Sequence, residues 1–364
     1  AALNSAASGG TILLAPGVYS NVTIASSFDG NGVTLKSQHD GNPAKFAGLN
    51  ISNSANVHFT NLEVDGSLRS DEYAVRVSGS SNITFQNMNF HGSLDNDPSN
   101  DRSGMLIRGS SNIEVSSSEF QQFSFALGVL ESSNIKIENN YFHDVRSDAT
   151  RFAQVSDLLI DANRFTNFFP VEGDHPDAIQ MWTTATTESS RNITITNNLM
   201  TRGDGQAFQG IFLGNEIDRP YYSVHVEGNV LAGTMYHGIA VAKGQDVRII
   251  NNEVYAFSDM KSWIYALNVN SGIVQGNKAY EYLDKGSSNL SIKGNDTTGF
   301  LNPAKVDELI ANWSAVHKAG RLLPDTDVSP PANPDDVIGD PGEDDHQAPE
   351  TAAPPTPSEP VPAP

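Results

Sequence analysis

The sequence predicts an all-β chain, a single-stranded right-handed parallel β-helix of about ten coils carrying a C-terminal capping helix and a disordered Pro-rich, acidic tail. Three observations predict it. A short motif recurs along the chain, as Asn56-Val-His-Phe-Thr-Asn-Leu-Glu-Val64, Asn82-Ile-Thr-Phe-Gln-Asn-Met-Asn-Phe90 and Asn134-Ile-Lys-Ile-Glu-Asn-Asn-Tyr-Phe142, with further copies from Asn112, Asp157 and Asn192. Within each copy apolar residues alternate, as a half-buried strand requires. An Asn or Asn-Asn then follows, suited to a left-handed turn, before another apolar residue re-enters the core.

In chain order, Ala1 to Ala7 reads as a short helical start, and Gly10 to Tyr19 leads through a strand and a Pro-Gly turn into a second strand at Asn21-Val-Thr-Ile24. Copies of the motif then follow at 22 to 35 residues, with weaker ones from Ser223, Asp246, Ser271 and Asn289. One unit has three short strands and cannot bury its apolar face alone, so the units must stack. A leucine-rich horseshoe is the rival, but its leucine pattern and helical segments are missing. These coils make up residues 1–302. In residues 303–322, Pro303 suits a first helical position, and Val306, Leu309, Ile310, Trp313 and Val316 recur at helical spacing. That helix is expected to cap the open end of the stack. Residues 323–364, with twelve prolines and many acids, have the composition of a linker to a further module.

Net charge is −21, but ten acidic residues and no Lys or Arg lie from Asp325 onward. The body lacks the basic stripe that a nucleic-acid partner needs. With no Cys there is neither a disulfide scaffold nor a thiolate metal site. No apolar run is long enough to enter a membrane, and a monomer is expected. The first residues read as the middle of a fold, as though a leader had been trimmed. Four Asn-x-Ser/Thr triplets, at Asn21, Asn82, Asn192 and Asn289, fall at the repeated turn position, which already explains them.

The candidate active site is Glu172-Gly-Asp-His-Pro-Asp-Ala-Ile-Gln-Met-Trp182. Aligning Ile179 with Ile211 and Ile239 stacks Asp177, Gln209 and His237 at one position, about 4.8 Å apart per rung. Asp174, His175, Asp177 and His237 are the candidate catalytic groups. Arg151, Gln180, Trp182, Arg202, Gln209, Tyr236 and Lys243 are the candidate substrate contacts, and Arg76 and Asp204 also fall nearby. Each has a bland alternative: an Asp/Pro turn for the first group, solvated or packing side chains for the second. Favouring function, the loops lengthen here, with about 35 and 31 residues between successive copies. Asp95-Asn-Asp-Pro-Ser-Asn-Asp101 could hold calcium, although without EF-hand spacing a solvated loop fits it better. No other metal or cofactor is implied.

The opening Gly10 to Tyr19 and the Asn-Ile-x-Ile-x-Asn-Asn-x-Phe coils resemble the pectate-lyase-like superfamily of secreted bacterial polysaccharide enzymes. That resemblance implies an extracellular or periplasmic address and a polysaccharide substrate. Locally, His175-Pro176-Asp177 is similar to the Asp-Pro-His of mannuronan C-5 epimerases, with Phe168 or Phe169 where those enzymes place a Tyr. Tyr236-His-Gly-Ile239 resembles the Gly-His-Gly-Ile strand of polygalacturonase-type hydrolases. Three readings follow. A lyase or C-5 epimerase would remove the proton α to a uronate carboxylate, with His237 or His175 as base and Asp177 orienting a histidine. A glycoside hydrolase would pair Asp177 with Asp174 or Asp204. A glycan-binding adhesin would use the long face without chemistry.

Overall fold

The computed structural model describes residues 3–68 and 72–321, and the expected linker 323–364 lies outside them. Each coil contributes three strands, exemplified by Asp177–Met181, Arg191–Thr196 and Leu199–Thr201, and every strand pairs in parallel with its counterpart in the next coil. The third strands form an eleven-stranded sheet. The first and second strands form two further faces, joined into one 21-stranded sheet by Leu127–Glu138 and Thr150–Asp161, which run through the corner. This is the right-handed β-helix that the motif spacing predicts.

The Asn positions make the corners. Asn82, Asn112, Asn134 and Asn192 adopt φ of 53–55°, a left-handed turn that Asn tolerates better than most residues. Asn21 and Asn289 do the same at 49° and 54°, so all four glycosylation-like triplets sit on turn residues. On the inside, Asn140, Asn163, Asn198, Asn229, Asn252 and Asn277 form a buried amide ladder. Each side-chain N–H₂ donates to the Oδ1 of the next rung at 2.9–3.0 Å and to a backbone carbonyl. The Oδ1 of Asn198 in turn accepts from the backbone N–H of Asn163 at 2.9 Å. An amide suits this place because it offers donors and an acceptor together where the backbone turns inward. Beside the ladder, Phe90, Phe120, Phe142 and Phe165 stack at 4.5–5.0 Å along the third strands.

The C-terminal helix is shorter than expected, Val306–Ser314 after a 3-10 turn at Pro303–Lys305, and it lies elsewhere. Trp313 packs on Ala162 and Leu199 and donates through Nε1 to the Asn197 carbonyl at 2.8 Å, while Val306 and Leu309 pack against Ala232, Tyr255 and Phe257. The helix therefore covers the flank of the third face, and the last strand, Ser288–Lys293, remains largely exposed. Outward positions on that flank explain the choice: Leu199 and Val230 stand where earlier coils carry Glu63, Asn89 and Glu119.

Asn198→Ala should leave one N–H of the Asn163 amide and the Asn163 backbone N–H without their Asn198 acceptor, costing about 2–5 kcal/mol by urea unfolding; a change under about 0.5 kcal/mol would show that the ladder contributes little.

Candidate active site

Stacking in register builds the site. Thr150, Ile179, Ile211, Ile239 and Ile264 form a buried column on the first strands. One residue on, Arg151, Gln180, Phe212, Ala240 and Tyr265 pair along the outward column. Arg76 stands on that column four coils before Gln180, through Leu106 and Gly128. Asp177 pairs with Gln209 as the alignment predicts.

The third rung departs from the alignment. A β-bulge between His237 and Ile239 turns the imidazole onto the outward rings, stacked at 5.3 Å from Phe212 and 5.7 Å from Tyr265. Gly238 makes the bulge feasible, since a Cβ there would lie 2.3 Å from Val254 Cγ1 and 2.6 Å from Ser262 Oγ. The Nε1–H of Trp263 donates to His237 Nδ1 at 3.2 Å.

Asp177 is 0 % exposed and neither carboxylate oxygen has a hydrogen-bond partner. Its nearest cation is His175, whose Nδ1 lies 3.6 Å from Oδ2 and whose ring is largely exposed. Gln209 Nε2 reaches His175 Nε2 at 2.6 Å. One coil earlier stands a residue that the sequence reading did not single out. Asp148 is 3 % exposed, accepts the Asp177 backbone N–H at 3.1 Å and pairs with Arg151 at 3.3 Å. The Arg151 guanidinium is held between rings, 4.1 Å from Phe125 and 5.1 Å from Trp182.

These surroundings push the titrations apart. Burial, and then the charge of Asp177, raise the Asp148 carboxyl to about 8 against the opposing pull of Arg151. Burial also raises Asp177, with His175 opposing. The Asp177 carboxylate, 3.6 Å from Nδ1, raises His175 despite its partial burial. Burial lowers His237, and the charge of His175 adds to that. At neutral pH the Asp148 carboxyl thus keeps most of its proton, close to Arg151 and on the same face as a His237 whose charged form burial disfavours.

Other candidates are engaged elsewhere. Asp174 is gripped by Arg146 at 2.7 and 3.1 Å and accepts the Val171 N–H, so it braces the loop that carries His175. Arg202 binds the Gly233 carbonyl and Asp259 on the turn after the third face. Lys243 pairs with Asp218 beside a separate cavity of about 450 Å³. Asp204 lines another, of about 290 Å³, with Asp101 and Asp144. Tyr236 is exposed on the rim, 5.4 Å from Trp263. Phe168 is core, stacked 4.2 Å from Phe208. Around the Asp95–Asp101 loop, Asp95 and Asp97 accept from the neighbouring Ser93, Ser99 and Asn100. Among the described residues, one trio with metal-ligand spacing, Glu63, Asp65 and His91, already holds the Lys45 ammonium 2.7 Å from Glu63.

Residues 47–216 match the family model for a right handed beta helix region. No curated protein matches in sequence. Among solved structures, the chain is similar to an alginate lyase from Paenibacillus sp. str. FPU-7, at 12 % identity and a TM-score of 0.42, covering 81 % of this chain and 95 % of that one. It is similar to PfbA, a surface adhesin of Streptococcus pneumoniae, at 17 % identity and 0.42, covering 80 % and 73 %. It is also similar to the pectate lyase Pel9A, at 17 % and 0.37, covering 89 % and 83 %. Likeness at this level says nothing of chemistry.

The proton that the folded state keeps on Asp148 stabilises the protein fully below the ordinary carboxyl value of 3.8, and that stabilisation is lost as pH rises through about 8. Asp148→Asn, neutral throughout, should therefore gain thermal stability over the parent between pH ~5 and ~9, by about 3–10 °C in Tm. Parallel Tm curves over that range would contradict a protonated Asp148.

Proposed function

We propose that this right-handed β-helix is a polysaccharide lyase that acts on a uronate-containing glycan lying along its first face. The observation that carries the reading is a planar guanidinium, Arg151, fixed between Phe125 and Trp182 and bordering the same buried Asp177 as the exposed imidazole of His175. A rigid fork is the donor that matches a carboxylate, and an imidazole oriented by a carboxylate is the pairing that makes a general base.

The chemistry starts at the sugar carbon next to the carboxylate. His175 Nε2, once substrate has displaced the Gln209 amide, takes that proton. The electron pair of the broken C–H bond moves into the carboxylate, where Arg151 meets the growing charge. Its return forms the carbon–carbon double bond and expels the glycosidic oxygen, which collects the proton from His175. Asp177 faces the imidazole at Nδ1, and the proton held by Asp148 keeps the floor of the site from repelling a polyanion. The outward rings of Phe212 and Tyr265 offer a surface for the neighbouring sugars. A soluble glycan of this kind is met outside the cell, in keeping with the expected extracellular or periplasmic address. No described helix is long and apolar enough to cross a membrane.

Two rivals fare worse. A hydrolase needs both carboxyls against the scissile bond, yet Asp148 and Asp177 are 3 % and 0 % exposed. A binding surface gains nothing from a buried carboxylate without partners, which costs stability.

Incubation with polyuronates should generate unsaturated ends that absorb in the ultraviolet. His175→Ala should lower the rate about 10²–10⁴-fold and Arg151→Ala about 10²-fold. The rate should fall on acidification through a value above 6.5, as His175 takes up its proton. New reducing ends without ultraviolet absorbance would mean a hydrolase. Solvent exchange at the same carbon without cleavage would mean an epimerase, keeping the first step and removing the elimination.

A further inference from the structure

His237 is the second imidazole of the site, and proton removal by His175 leaves it without a role. The ring is held from three sides. Phe212 and Tyr265 lie nearly parallel to it, at 26° and 10°, and Trp263 meets it edge-on at 81°. The bulge at Gly238 fixes its backbone. Only one of these neighbours makes a polar contact with it, the Trp263 indole N–H at 3.2 Å from Nδ1. We infer that Trp263 locks neutral His237 with its proton on Nε2, so that this imidazole is a fixed hydrogen-bond donor to a substrate oxygen and not a second base.

The step from contact to role is short. An indole N–H can only donate, so the nitrogen it meets must accept and carries no proton. A neutral imidazole has one N–H, which then belongs to Nε2. Burial among rings, with the positive charge of His175 across the site, disfavours a second proton, so the ring stays neutral while remaining a donor. A neutral imidazole held this way can polarise an oxygen that is gaining charge, without first forming a strong ion pair with the ground-state substrate. Trp263 is thus a positioning residue that acts through His237. The inference rests on the lyase reading for the identity of the oxygen that His237 meets, but not for the tautomer.

The test is long-range proton–nitrogen NMR on the full chain labelled with 15N-histidine. The parent at neutral pH should show a bare Nδ1 and a protonated Nε2 for His237, and titration with a uronate oligosaccharide should shift Nε2 more than Nδ1. Trp263→Phe, which keeps a ring but removes the donor, should give a mixture of tautomers and lower kcat about tenfold or more with little change in KM. His237→Gln, whose amide can still donate, should retain part of the rate that His237→Ala loses. A protonated Nδ1 in the parent, or a Trp263→Phe variant with unchanged tautomer and rate, would overturn the inference. If the parent shows the Nε2–H tautomer but turns over no uronate glycan, the lyase reading falls and the lock stands.

Discussion

Everything in this molecule depends on each residue lying directly above its counterpart in the coil before. Parallel pairing fixes the height of a rung at about 4.8 Å, and the buried Asn ladder fixes where each coil turns. Asn163, Asn198 and Asn229 each donate to the next rung and to a backbone carbonyl, so an Asn that slipped by one position would strand several polar groups in the core. That rigidity lets residues 34 apart in sequence, His175 and Gln209, meet within hydrogen-bond reach. It also allows Arg151 to be clamped by rings from the coils on either side of it.

The same stacking sets the electrostatics. In a regular coil the residue at the place of Asp177 is a plain backbone-turning position, and two carboxyls in successive coils would repel at close range. Here they are tolerated because burial keeps a proton on Asp148 and because Arg151 stands beside Asp148 and His175 beside Asp177. The arrangement is costly in stability, as sites arranged for chemistry commonly are. It also answers the objection that an acidic strand entrance must repel an acidic glycan, since most of the exposed charge in the site belongs to cations.

The coil architecture was legible in the sequence because the alternation and the Asn turns repeat with every coil. Asp177 beside Gln209 was legible for the same reason. Asp148 is legible by the same register, since aligning Thr150 with Ile179 places it under Asp177. The place of His237 was not legible. It depends on a bulge against the following coil, where His237-Gly238-Ile239 meets Trp263-Ile264, and an alignment with Gln209-Gly210-Ile211 does not contain it. Asp174 misled because an acid beside His175 reads as catalytic, and only the fold brings Arg146 to it from 28 residues away. The C-terminal helix was legible as a helix, but its docking place depends on Leu199 and Val230 being apolar on a face whose earlier coils are polar.

The central claim is one placement: a glycan lies across the first face with one uronate carboxylate on Arg151, the acidic carbon of that sugar beneath His175, and a sugar farther along the chain at His237. A crystal structure of the His175→Ala variant soaked with a uronate oligosaccharide tests this most directly. Sugar density should run across the coils of Arg151, Gln180 and Phe212, with a carboxylate on the guanidinium and a different sugar oxygen within hydrogen-bond distance of His237 Nε2. Density confined to another face of the coil stack, or a carboxylate turned away from Arg151, would contradict it.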